Sequence, residues 1–377
     1  MKRVFASIFS LAFSYCAVSP SAFAWGERGH DGVTRVATRL LADSKDPETA
    51  KFGAFLQRKE NMLGHLANVP DIVWRSLGPE LDKSSSPSHF VDMEYILPPG
   101  SLPKAADLPQ NVAEFLKALD ANCAKKSKDV PCDNGKSDDE RLQKSGHAPF
   151  RIETLSQDLV QSFKEMKSLE AQTGDNGAKR DAVIERVILT MGILSHFVGD
   201  LSNPEHTAKD YDAWDLGQGG LHGYFESEIV DSLPLDLEAV VLDEAQRHQP
   251  MAERFARHPH NYLQMAWELA LDSHEKLPLL EQMDRQYSLL EKSVSGRNGE
   301  GGHGKGQKAK RRDALETRGS FRNLIILRLA AGADALSRIW LDTWQQGGKP
   351  DMSFYHSYHY DVKPDFIPLR YLPHTKS

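Results

Sequence analysis

Positive charge is what this sequence is short of: Lys and Arg number 46 against 53 Asp and Glu, for a formal net charge of -7. A chain that grips polynucleotides by neutralising phosphates usually shows a basic face. The balance therefore argues against tight polynucleotide binding and leaves room only for short or transient contact. Cysteine is scarce too, at three residues, so a thiolate-built metal cluster is excluded. Strand-like alternation is also rare, whereas apolar residues recur at helical spacing in several long segments. The chain reads as all-α.

The first 24 residues, MKRVFASIFSLAFSYCAVSPSAFA, carry Lys2 and Arg3, then an apolar stretch, then Ala-Phe-Ala. That order is the shape of a cleavable export signal. A short membrane anchor is the alternative, but Ser10, Ser14 and Tyr15 break the run, which is short for a bilayer span. Cleavage makes Trp25 the first residue, leaves 353 residues and moves the formal net charge from -7 to -9. The expected location is the periplasm or the cell exterior. With 40% hydrophobic and 26% charged residues, 25–377 reads as one soluble globular domain. Cys16 leaves with the leader. Cys123 and Cys132, with AKKSKDVP between them, suit a local disulfide in an oxidising compartment, two free thiols being the alternative.

Periodicity places helices at about 31–42, 112–121, 150–169, 181–201, 221–231, 262–283 and 313–346. In the clearest of them Val183, Val187, Leu194 and Phe197 share a buried face, while Arg180, Glu185 and Arg186 stay wet. Two polar stretches, 125–147 and 293–312, read as mobile loops. The second, SVSGRNGEGGHGKGQKAKRR, has a basic end of the kind that is usually just solvated. A helical portion at about 260–346 precedes an irregular, aromatic tail, 347–377.

The chemistry concentrates in HFVGDLSNPEHTAKDYDAWDLGQGGLHGYFESEI, residues 196–229. His196 and Asp200 are four apart on a helix, so they project from one face one turn apart and can reach a single metal. His222 and Glu226 repeat that spacing. His206, after Pro204 in the connecting loop, can lean toward the second pair. Imidazole with carboxylate, and no thiolate, suits zinc, whereas calcium or magnesium would be met by oxygen alone.

Upstream, His30 in WGERGH, Asp71 in ANVPDIVWR and His89 in SPSHFVDME are further ligand candidates. Each has an ordinary reading as well. Asp71 after its proline reads as a helix N-cap partnered by Arg75, and His89 as a loop residue bonded to a carboxylate.

Trp25, His30, Asp71, His89, His196, Asp200, His206, His222 and Glu226 occur in the order of the ligands in the superfamily of bacterial zinc phospholipases C and fungal single-strand nucleases, and residues 25 to about 231 resemble it. That family binds zinc through a processed N-terminal Trp, by its amine and carbonyl. The resemblance implies a multi-helix bundle with long loop insertions and three zinc ions. One would sit on Asp71, His89, His196 and Asp200, a second on His206, His222 and Glu226, and a third on Trp25, His30 and a shared Asp200. It further implies phosphodiester hydrolysis with Asp71, placed between the metals, orienting or deprotonating the attacking water.

The two branches of that family pull in different directions. Glu226 as last acid and the sixteen-residue interval from His206 to His222 resemble the phospholipases. The nucleases place Asp there after a longer insert, which is missing. The five-residue step from Trp25 to His30 and the NVPDIVWR segment resemble the nucleases. Acidic net charge tips the expectation to a lipid head-group substrate at a membrane or micelle surface, with single-stranded nucleic acid second and a non-catalytic zinc-binding domain third. Asp212, Trp214, Tyr224 and Phe225 are candidates for an aromatic pocket around a choline-like cation, although aromatics at such positions are more often core.

Overall fold

The computed structural model describes residues 25–97, 103–124, 130–172, 176–295, 306–357, 359 and 361–372. The expected leader, 1–24, lies outside them. Helices dominate, and the architecture is all-α, as the periodicity requires.

Gly177–Ser202 is the central element, packed by Glu60–Ile72, Ala148–Glu170 and Ala314–Gln346. It is long and apolar enough to cross a bilayer, yet 78% of its most apolar window is buried inside the protein. Neighbouring helices, not lipid, therefore satisfy its surface. Val183, Val187, Leu194 and Phe197 are buried, Arg180 and Glu185 half-buried, and Arg186 exposed. Each such buried aliphatic side chain contributes about 1.5–3 kcal/mol relative to exposure. Gly192 lets Glu60–Ile72 come close, because a Cβ there would stand 2.3 Å from Leu66 Cβ. The first helix, Gly26–Ala42, then lies against Pro47–Gln57, Glu60–Ile72, Leu237–His248 and Ala314–Gln346.

Several expectations need correction. The stretch 125–147 is not loop throughout, since Asp138–Ser145 is helical, with Ser137 and Glu140 capping each other's backbone N–H groups. The expected helix 262–283 is two, Tyr262–His274 and Leu277–Met283. Pro278, in the first turn of the second, has no N–H with which to continue the first. The ends of 293–312 are not loop but ribbon, Leu289–Glu291 pairing antiparallel with Lys310–Arg311, and Val294–Ser295 with Gly306–Gln307. Residues 296–305 lie outside the described residues.

Cys123 and Cys132 form a disulfide. The tail is irregular and lies on the helices: Trp74 Nε1 donates to the Pro364 carbonyl at 2.9 Å, and the Arg151 guanidinium donates to Ile367 O at 2.8 Å and Pro368 O at 3.2 Å.

Candidate metal centre

The last turns of Gly177–Ser202 carry His196 and Asp200, both fully buried. Around them the fold gathers side chains from three other elements. His30 comes from the first helix, Asp71 from the end of Glu60–Ile72, and His89 from the cap of the short helical turn Ser86–Ser88. His196 Nε2 is 3.3 Å from Asp200 Oδ2 and 2.9 Å from His89 Nδ1. His89 Nδ1 is 3.0 Å from Asp200 Oδ2 and 3.8 Å from Asp71 Oδ1. His30 Nε2 is 3.5 Å from Asp200 Oδ1. The approach of His30 depends on Gly199, where a Cβ would stand 2.9 Å from His30 Nδ1.

A second group forms beside it. His222 Nε2 is 2.6 Å from Glu226 Oε2 and 3.1 Å from His206 Nε2, and His206 Nε2 is 3.7 Å from Glu226 Oε2. His222 occupies the turn Leu221–Gly223, and Glu226 a wider π-helical stretch, Tyr224–Ile229, a form frequent at functional sites. Their contact survives that local widening.

Three sets of ligand atoms lie within 4.8 Å of one another: His30, His196 and Asp200; Asp71, His89 and His196; His206, His222 and Glu226. The rings are aimed by the backbone. His196 Nδ1–H donates to the Ala67 carbonyl at 2.7 Å, and His206 Nδ1–H to the His89 carbonyl at 2.7 Å. Both therefore present an Nε2 lone pair to the centre, as metal-ligating histidines do when the other ring nitrogen donates to a carbonyl.

Electrostatics points the same way. Burial pushes His89 and His196 well below the usual imidazole value, lowers His206 and brings His222 to about 4, so these rings are neutral and able to ligate. Burial, then repulsion from Asp71 and Glu226, raises Asp200 well above the carboxylate range. Burial raises Glu226 to about 8. Asp200 Oδ1 and Glu226 Oε1 are buried and accept no hydrogen bond. Buried carboxylate oxygens of this kind, facing neutral imidazoles, are what a multivalent cation stabilises. These residues fit metal ions.

Trp25 is fully buried. Its indole N–H donates to Ser202 Oγ at 3.0 Å, its carbonyl accepts from His30 N–H at 3.3 Å, and its φ is 23°. Asp71 is not an N-cap: it ends a helix that contains Pro70, although Arg75 is its partner, with Nε 3.3 Å from Asp71 Oδ1.

The four residues considered for a cation pocket pack around the ligands instead of converging on a surface. Asp212 accepts the His222 backbone N–H at 3.1 Å and the Trp214 indole N–H at 2.7 Å. Tyr224 Oη donates to the Arg312 carbonyl at 2.9 Å, and the Phe225 ring lies against Trp25 and Phe321.

Sequence reasoning passed over two neighbours, Asn203 and Tyr211, and named a third, Arg75, only as the partner of Asp71. Asn203 donates to Glu226 Oε2 at 3.1 Å, and the half-buried Tyr211 ring meets His222 edge-on at 5.5 Å. The Arg75 guanidinium acts electrostatically on His89, His196, Asp200, His222 and Glu226, so both groups feel it. Asn203 and Tyr211 were signalled only by lying between ligands. Other histidines serve structure: His147 pairs with Tyr371 Oη at 2.8 Å, His258 with Glu268 at 3.0 Å and His260 with Asp342 at 2.7 Å.

A cleft of about 530 Å³ reaches Asp71 and is lined by Glu27, Asp31, Asp231 and Glu238, with Arg28 as its cation. Comparisons of the chain with protein-family models, curated proteins and solved structures found no match.

Proposed function

We propose that the chain is an exported zinc phosphodiesterase whose first substrate class is a glycerophospholipid, cleaved to diacylglycerol and a phosphorylated head group. The observation that carries this reading is the gathering of eight His, Asp and Glu side chains, distant in sequence, into adjoining buried groups. The donor set, imidazole and carboxylate without thiolate, favours zinc. In this reading three ions are held, by Asp71, His89, His196 and Asp200; by His206, His222 and Glu226; and by His30, Asp200 and the amine and carbonyl of Trp25. Zinc in such a cluster polarises a phosphoryl oxygen, lowers the pKa of water and stabilises the entering and leaving oxygens of an in-line displacement.

The chain's own residues do the rest. Asp71, at the wall of the cleft, orients the attacking water and takes its proton. In this reading Arg75, the ion-pair partner of Asp71, holds a non-bridging phosphoryl oxygen, since a guanidinium fork matches phosphate geometry. The cleft selects among phosphodiesters: its carboxylates outnumber Arg28, so they repel a polyanion and complement a cationic head group.

A nuclease is the second reading, favoured by the five-residue step from Trp25 to His30 and by NVPDIVWR. The test counts zinc per processed chain and follows a chromogenic phosphodiester. It then compares phosphocholine release from mixed micelles with cleavage of single-stranded DNA, at equal protein and defined salt. Phosphocholine release supports the phospholipase. Exclusive DNA cleavage replaces it with the nuclease, and zinc without hydrolysis leaves a non-catalytic binding domain.

A further inference from the structure

We infer that the two-stranded ribbon formed by 289–295 and 306–311 positions the second ligand group, with Arg311, anchored on Asp284, holding the turn from which His222 enters the centre. The inference rests on the metal reading above. The turn 217–220 reads Gly-Gln-Gly-Gly, with Gly217 at φ 73° and Gly220 at φ 92°. Glycine adopts these left-handed angles without strain, but such a segment brings little stiffness of its own. His222 follows it by two residues, so any play in the turn passes to the ring.

The ribbon removes that play from two sides. Ser293 N–H donates to the Gly217 carbonyl at 2.8 Å, Ala309 N–H to the Gly219 carbonyl at 2.9 Å, and Gly219 N–H to Ser293 Oγ at 3.0 Å. Arg311 donates to the Gly219 carbonyl at 3.2 Å and also to the Gln218 carbonyl. Its fork is fixed by Asp284, with Nε 2.8 Å from Oδ1 and Nη2 3.0 Å from Oδ2, and this pair is buried. Asp284 Oδ2 also accepts from Gln218 Nε2 at 2.7 Å. One bidentate pair thus ties the ribbon to both the backbone and the side chain of the turn. Beyond His222, Tyr224 Oη donates to the Arg312 carbonyl at 2.9 Å. The segment bearing His222 is gripped before and after the ligand.

Breaking one partner of a buried pair strands a charge, whereas replacing both with apolar groups is often tolerated. The test is therefore the double variant Asp284→Leu with Arg311→Met in the full processed chain, with zinc alone as probe and affinities read by competition with a chromophoric chelator. The ion lost on His222→Ala is expected to bind about 10–100-fold more weakly, the range typical of residues that orient ligands. The other ions should hold as in wild type, the melting temperature of the metal-free chain should stay put, and in a chain already carrying His222→Ala the double variant should cause no further loss. Unchanged zinc affinity, or equal weakening of every ion, overturns the assignment. Should the double variant fail to fold, Ser293→Ala removes only the Gly219 bond and must weaken the same ion; no change there overturns it too. A wild-type chain that binds no zinc sinks the metal reading itself, a distinguishable result.

Discussion

His196 Nε2 and His89 Nδ1 face each other across 2.9 Å although the two residues are 107 positions apart. Asp200 is what makes that approach useful. One of its oxygens is within 3.3 Å of both rings, and the other is 3.5 Å from His30 Nε2. Asp200 thus reaches three histidines of the first assembly, so Asp200→Asn is expected to release more zinc per chain than His222→Ala, which touches the second group alone. Elemental analysis of both variants checks this, and equal losses would contradict the shared role.

The second group depends on a residue that never touches a ring. Asn203 Nδ2 donates to Glu226 Oε2 at 3.1 Å inside the core. Asn203→Ala leaves that carboxylate free to rotate and is expected to weaken one zinc by about tenfold, at the low end for an orienting partner. Metal titration shows whether a single affinity moves; a uniform shift would mean general destabilisation.

How much of this was legible follows from range. Helix periodicity is local, so Gly177–Ser202 and Ala314–Gln346 were readable almost to their ends. Glu60–Ile72 was not, because Pro70 inside its last turn mimics a helix stop. Asp138–Ser145 hid in a polar stretch, although Ser137 and Glu140 are spaced as a capping box. At the candidate site, the i,i+4 pairs were legible because one helix sets their geometry. Gathering His30, Asp71 and His89 onto Asp200 is tertiary, and no local pattern predicts it. The candidate pocket aromatics were ambiguous for the complementary reason: Phe225 and Tyr224 carry the same apolar rings whether they line a cavity or fill a core, and here they pack on Trp25 and Phe321.

The acidic cleft carries a specificity prediction. Glu27 and Asp231 line it beside Arg28, and reversing both, as Glu27→Lys with Asp231→Lys, turns a repulsive mouth into an attractive one. Cleavage of single-stranded DNA relative to phosphocholine release is expected to rise by about tenfold or more at low salt, the scale of electrostatic steering. Added salt should then erase the gain. An unchanged ratio would show that the cleft does not sort substrates by charge.

His147, which belongs to neither ligand group, supplies a test of folding. It is fully buried against Tyr371, and burial, with the Arg151 charge second, holds its pKa down at about 3. In the unfolded chain it titrates near its ordinary value of about 6.5. Between those values the unfolded state carries a proton that the folded state refuses, so stability rises with pH across the window. The contribution is complete above about 6.5 and is lost as pH falls toward 3. One such group changes stability by at most about 1.4 kcal/mol per pH unit. His147→Gln removes the titration, so the wild type's advantage over the variant is expected to be roughly 2 kcal/mol larger at pH 7 than at pH 4.5. Urea unfolding with chelator present in both samples reads this directly, because the other buried histidines then contribute equally and cancel. A difference between the two proteins that stays constant with pH would mean that His147 is protonated as readily in the fold as out of it.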